Sequence, residues 1–145
     1  MLGTAEMARI VSQVTQPMLG ITFAPAGDPV SAIGPSWKTA ALPIQGGRPL
    51  TVAVSADEAS GQALGARMFG AALHEVDGTM VADALCELVN MTAGLLKSAL
   101  RIDQALGLPS MREQAIFDHS DGRWSHYYLR AGQLNLVLAV ATRIF

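Results

Sequence analysis

Apolar residues recur at helical spacing most persistently from Thr79 to about Asp103, TMVADALCELVNMTAGLLKSALRID, the longest such pattern in the chain. Val81, Ala84, Leu85, Leu88, Met91, Leu95 and Ala99 fall at three- and four-residue steps, which places them on one inward-packing face of an α-helix. At about 100° per residue, Asp83, Glu87, Asn90, Gly94, Lys97 and Arg101 lie within roughly 40° of a common line on the opposite side. Nearer the N-terminus, Met7, Ile10, Val11 and Val14 have the spacing of a short amphipathic helix over residues 5–16, capped by Thr4 and ended by Pro17.

The segments between and after these helices read as strands and turns. GITFAP predicts a strand, and residues 27–35, rich in turn formers, predict a loop. Residues 37–45 and 49–55 are strand-like, with Gly46-Gly47 between them as a hairpin turn, because glycine tolerates the positive φ of tight turns. Ser55-Ala56-Asp57-Glu58 matches a capping box and opens a second helix that runs to about Phe69, with Ala63, Met68 and Phe69 among its apolar side chains and Gly70 as its stop. The acidic linker HEVDG, residues 74–78, then puts carboxylates at the positive end of the long helix's dipole. Gly107-Leu108-Pro109 marks a turn or the start of a strand, and residues 118–122 a polar turn. Residues 124–129 and 133–144 form a closing hairpin around Ala131-Gly132. Its second strand, LNLVLAVATRIF, is apolar nearly throughout, as suits a strand central in a sheet or an edge covered by another chain. The order of elements predicts an α+β fold, a largely antiparallel sheet packed by two long helices.

A chain of 145 residues is expected to form one domain, 1–145, that buries its core without disulfides or metals. Ten basic and twelve acidic residues give a net charge of −2 with no like-charge run, which points away from nucleic acid and membrane surfaces toward a protein or small-molecule partner. The single cysteine, Cys86, excludes an internal disulfide, suits a reducing cytoplasm and reads as an inert thiol. Half the residues are hydrophobic and mean hydropathy is +0.31, yet no run reaches the roughly 18 apolar residues of a spanning helix. The N-terminus has no signal-peptide pattern. The excess hydrophobicity is expected to cover an interface.

The polar line on the long helix breaks the habits of a solvated face. Asp83 and Glu87 are like charges at i,i+4, worth about 0.2–0.5 kcal/mol against the helix. Asn90 is a mediocre helix former, and Gly94 costs about 1 kcal/mol relative to alanine. A site that presents carboxylates, then a carboxamide one turn on, then a gap for a partner's backbone, would use such residues. A solvated face that tolerates poor helix formers is the competing reading, and the pattern alone leaves both open.

Other candidates for chemistry are weaker. Asp118-His119-Ser120-Asp121 holds the residue types of a nucleophilic triad, but neighbours in a polar turn rarely converge on one point. His74, His119 and His126 lack zinc-ligand spacing, so no metal site is expected. Tyr127 and Tyr128 are expected to straddle a strand, one ring on each side. No glycine-rich nucleotide fingerprint is present.

The string Asp83-x3-Glu87-x2-Asn90, continued as Asn90-Met91-Thr92-Ala93-Gly94 and followed by Leu108-Pro109, resembles the signature of the CheC/CheX/FliY chemotaxis phosphatases. The glycine-turn hairpin before the capped helix and the strand motif Gly132-Gln133-Leu134-Asn135-Leu136 are also similar to that family. One such helix, rather than two copies, makes the chain resemble CheX more than CheC, and the interval from Asn90 to Pro109 is shorter than the family's usual one. The resemblance implies a phosphatase acting on the aspartyl phosphate of a CheY-like receiver domain in chemotaxis or two-component signalling. Catalytic roles then fall to Asn90, which orients water, and Glu87, with Asp83, Glu87, Gly94 and Lys97 contacting the receiver. The chain itself binds no cofactor on this reading, and the receiver supplies Mg²⁺. The resemblance and the hydropathy together predict a homodimer whose interface includes the apolar C-terminal strands. A non-catalytic receiver-binding or scaffolding module of the same fold is the alternative.

Overall fold

The computed structural model describes residues 2–27, 36–112 and 122–145, and among these three helices lie on one face of a six-stranded antiparallel sheet. The helices are α1 (Thr4–Leu19), α2 (Glu58–Phe69) and α3 (Gly78–Ala99), of which α1 and α3 are the long ones. The strands are β1 (Ala24–Pro25), β2 (Lys38–Ile44), β3 (Leu50–Ala56), β4 (Ser110–Arg112), β5 (Trp124–Ala131) and β6 (Leu134–Ala141), in the order β1-β5-β6-β3-β2-β4. The α+β architecture expected from the pattern is the one observed.

The pleat explains why β6 is apolar along its whole length. Leu136, Leu138 and Val140 join Leu42, Ile44, Val52 and Val54 beneath the helices, while Val137, Ala139 and Ala141 pack on the opposite face with Trp37, Ala41, Ala53 and Trp124. β6 is paired on one edge by β5 and on the other by β3, so it is a central strand. Tyr127 lies on the helix face and Tyr128 on the other, as alternation requires. The β2–β3 hairpin has the expected register, from Lys38↔Ala56 to Ile44↔Leu50. Its turn residue Gly46 has φ 143°, and the adjacent Arg48 backbone is clasped by the Gln104 carboxamide, which accepts from Arg48 N at 2.7 Å and donates to Arg48 O at 2.9 Å.

Several local expectations give way to tertiary packing. α1 continues through Pro17 to Leu19, with Gly3 rather than Thr4 as its N-cap. Buried Leu19 and the bonds from Gly20 N to Gln16 O and Ile21 N to Thr15 O close a turn that a proline would ordinarily end. The strand expected at GITFAP shrinks to Ala24–Pro25 because Phe23 N donates to Ser12 Oγ on α1, at 2.9 Å, instead of to a ladder. Asp57, not Ser55, caps α2, accepting from Ser60 N at 2.7 Å, while the Ser55 hydroxyl pairs with Thr39 at 2.9 Å inside the sheet. α2 buries Ser60, Gly61, Leu64 and Gly65 rather than Phe69, which is exposed. Its two buried glycines let α3 and the segment leading into it approach: a Cβ at Gly61 would sit 3.0 Å from Val81 Cγ1, and one at Gly65 3.1 Å from Val76 Cγ1.

α3 ends at Ala99, earlier than the pattern suggests. Arg101 takes a left-handed φ of 55°, and Ile102 N closes back on Lys97 O at 3.0 Å, burying Ile102. Arg101 therefore leaves the polar line. The buried positions of α3 are Ala84, Leu85, Leu88, Val89, Thr92, Ala93 and Leu96, which share Ala84, Leu85 and Leu88 with the periodic stripe but leave Val81, Met91 and Leu95 half-buried and Ala99 exposed, because α1, α2 and the β2–β3 hairpin all pack on this helix and shift its inner face. That load of core residues gives α3 the length and mean hydropathy, 1.3, of a membrane span, contrary to the expectation that no segment would qualify. Its apolar residues are instead packed against the sheet and the other helices. The cluster at residues 118–121, including His119, and all but Gly27 of the 27–35 loop lie outside the described residues.

Candidate functional site

The start of α3 is fixed by Asp77, whose carboxylate accepts from Met80 N at 2.9 Å. From there Leu85, Leu88 and Val89 tie the helix to the core, which fixes the azimuth of everything on its outer side. Asp83 and Glu87 are exposed and Asn90 is half-buried. The three span about 10 Å along the helix at 1.5 Å per residue.

Across from them runs the segment that leads into β4. Leu106 bridges Ile44, Gly107 N donates to Pro43 O at 2.7 Å, and Ser110 to Arg112 pair with β2. Leu108 and Pro109 are thereby held beside α3. Asp83, Cys86, Glu87, Asn90, Leu108 and Pro109 together line a groove of about 400 Å³. Of the residues quoted for the family resemblance, Asp83, Glu87 and Asn90 meet Leu108 and Pro109 here, some twenty positions away in sequence.

Among the described residues, nothing pairs with the Asp83 or Glu87 carboxylates or with the Asn90 carboxamide, so all three are available to a partner. Burial first, then the neighbouring Asp83 charge, push the Cys86 thiol up. At neutral pH it is a protonated thiol and a poor nucleophile, in keeping with the inert reading. Among the described residues, no three His, Cys, Asp or Glu side chains gather as a metal-ligand set.

Gly94 and Lys97 continue the line but lie outside the groove. Lys97 sits in the last turn of α3, where a cation suits the dipole. Gly94 is roofed by Leu106, whose Cδ1 would be 3.9 Å from an added Cβ, an ordinary contact. Gly94→Ala is therefore expected to stabilise the protein by up to about 1 kcal/mol without loss of activity. Gly94→Leu must displace Leu106 and is expected to lower the melting temperature. Thermal melts of the two variants check both signs. Cys86 and Leu108 form groove walls that the sequence reading left out of the site. The only signal for Leu108 was its place beside Pro109 in the motif.

A family model described as chemotaxis phosphatase CheX matches residues 39–122. No curated protein sequence matches the chain. Among solved structures, the fold is similar to that of the chemotaxis protein CheX from Vibrio vulnificus, with TM-score 0.72 and 16% identity over 97% of this chain and 99% of that one. The CheX–CheY–BeF3–Mg2+ complex from Borrelia burgdorferi matches with TM-score 0.71 and 15% identity, over 99% of this chain and 100% of that one. The FliM middle domain from H. pylori matches with TM-score 0.64 and 9% identity, over 96% and 86%.

Proposed function

Because the chain belongs to the chemotaxis phosphatase CheX family, we propose that it is an enzyme that hydrolyses the aspartyl phosphate of a CheY-like receiver domain. The observation that carries this reading is the groove in which Glu87 and Asn90 stand side by side with no partner of their own among the described residues. The CheX neighbour solved with CheY, BeF3 and Mg2+ supports a receiver as partner, and Mg²⁺ as the receiver's contribution.

Acyl phosphate hydrolysis needs a water in line with phosphorus and positive groups facing the negatively charged phosphoryl oxygens. Mg²⁺ and a receiver lysine supply the charge. Asn90 supplies the geometry: a neutral carboxamide accepts from water through its oxygen and donates through its nitrogen, and it does not repel phosphate. Glu87, one turn away, pairs with the receiver's lysine and sets the register, and Asp83 extends the acidic wall. Gly94 and Lys97 serve the outer margin of the contact. Residues 1–145 act as one domain in the cytoplasm.

Mixing the protein with a phosphorylated receiver and Mg²⁺ is expected to accelerate loss of phosphate. Binding without acceleration would instead support a scaffolding module. Glu87→Ala is expected to weaken receiver binding as well as turnover, since a charge pair acts in the ground state too. Unchanged affinity in that variant removes Glu87 from docking.

The same reading includes a homodimer, on the high mean hydropathy of the chain. Because β6 is paired along both edges and buried on both faces, a C-terminal contribution must come from β5 and its flank. Light scattering at micromolar concentration is expected to give twice the chain mass of 15.2 kDa, and a monomer mass refutes it.

A further inference from the structure

The geometry points to Leu108 as the apolar anchor that seats the receiver in this groove, against an apolar side chain beside the lysine that Glu87 reaches. The inference rests on the receiver-phosphatase reading and adds a specificity-determining residue to it. Leu108 is 86% exposed, well above Leu73 at 58% or Phe69 at 47%. Scattered exposed leucines are ordinary on protein surfaces. This one differs in being held outward by its neighbours.

On one side, Leu106 bridges Ile44 and Gly107 N bonds Pro43 O at 2.7 Å. On the other, the Pro109 ring fixes φ and Ser110 begins the β4 ladder on β2. The backbone therefore cannot fold the leucine down onto the core, and its side chain keeps the apolar surface it would otherwise bury. Its location gives that surface a use, because Leu108 and Pro109 face Asp83, Glu87 and Asn90 across the groove. An apolar wall opposite two carboxylates is complementary to a surface carrying an apolar group next to a cation, and the solved complex of a CheX with CheY makes a receiver the partner of that kind to test. Desolvating that contact also shields the Glu87–lysine pair from water.

The test is Leu108→Ser, with Leu108→Met as the conservative control. Affinity for a CheY receiver activated with beryllofluoride and Mg²⁺ is measured by titration, and turnover on the same receiver phosphorylated with acetyl phosphate. Leu108→Ser is expected to raise Kd and KM about tenfold, to keep kcat within about twofold and to leave the melting temperature unchanged, with Leu108→Met close to the parent protein. Parent-like Kd and KM in Leu108→Ser, while the parent protein binds and turns over the receiver, overturn this proposal alone. Failure of the parent protein to bind the receiver overturns the phosphatase reading and Leu108's role together. Binding by the parent without turnover, with Kd raised in Leu108→Ser, refutes the phosphatase reading and upholds the anchor.

Discussion

Asn90→Ala is expected to lower kcat for receiver dephosphorylation by about 10²–10³-fold, the usual effect of deleting one well-placed polar group from a transition state, equivalent to about 3–4 kcal/mol. Receiver affinity and folding should barely change. The residue is half-buried on the groove side of α3, while Leu88 and Val89 beside it carry the packing. Truncation therefore breaks no hydrogen bond to a described residue, and replaces a mediocre helix former with the best one. Asn90→Asp is the informative companion. It keeps the size but gives up the N–H donor and adds a charge facing phosphate, so it too should be slow. A variant in which Asn90→Ala turns over at the parent rate would end the assignment of Asn90 to water positioning, whatever Glu87 does.

Much of this site was legible because its main part lies on one helix. A period of 3.6 residues converts the spacing of Asp83, Glu87 and Asn90 directly into a shared face, and no tertiary information is needed. The hairpin turn at Gly46 and the alternation in β6 were legible for the same reason, that local geometry dictates them. What could not be read was set by contacts between distant segments. Pro17 is carried inside α1 because Leu19 is buried and the following amides close the turn. Ser55 gives up the helix cap because Thr39, on the neighbouring strand, takes its hydroxyl. Gly61 and Gly65 look like weak points of α2 until α3 is laid across them. The second wall of the groove belongs to this class as well, since nothing local says that residues 106–109 follow β2 and stand beside α3.

That dependence makes Gly107 the position where stability and site should fail together. A Cβ there would lie 2.6 Å from Pro43 O and 2.7 Å from its ring Cγ, closer than real side chains approach, and the nearest obstacle is backbone. Gly107→Ala must push the segment off β2, straining or breaking the 2.7 Å bond from Gly107 N to Pro43 O. Overpacking of this kind costs about 1–3 kcal/mol and the hydrogen bond about 1 more, so the melting temperature should fall by roughly 10 °C. The displaced Leu108–Pro109 wall should raise KM, while kcat at saturating receiver stays near the parent value because Asn90 is anchored through α3. Adding Pro43→Ala removes the ring contacts but not the carbonyl, so the double variant should recover only part of the loss, a non-additivity that reports direct contact. A Gly107→Ala protein melting within a degree or two of the parent would show that this segment does not sit on β2 as described, and with it would go the groove's second wall.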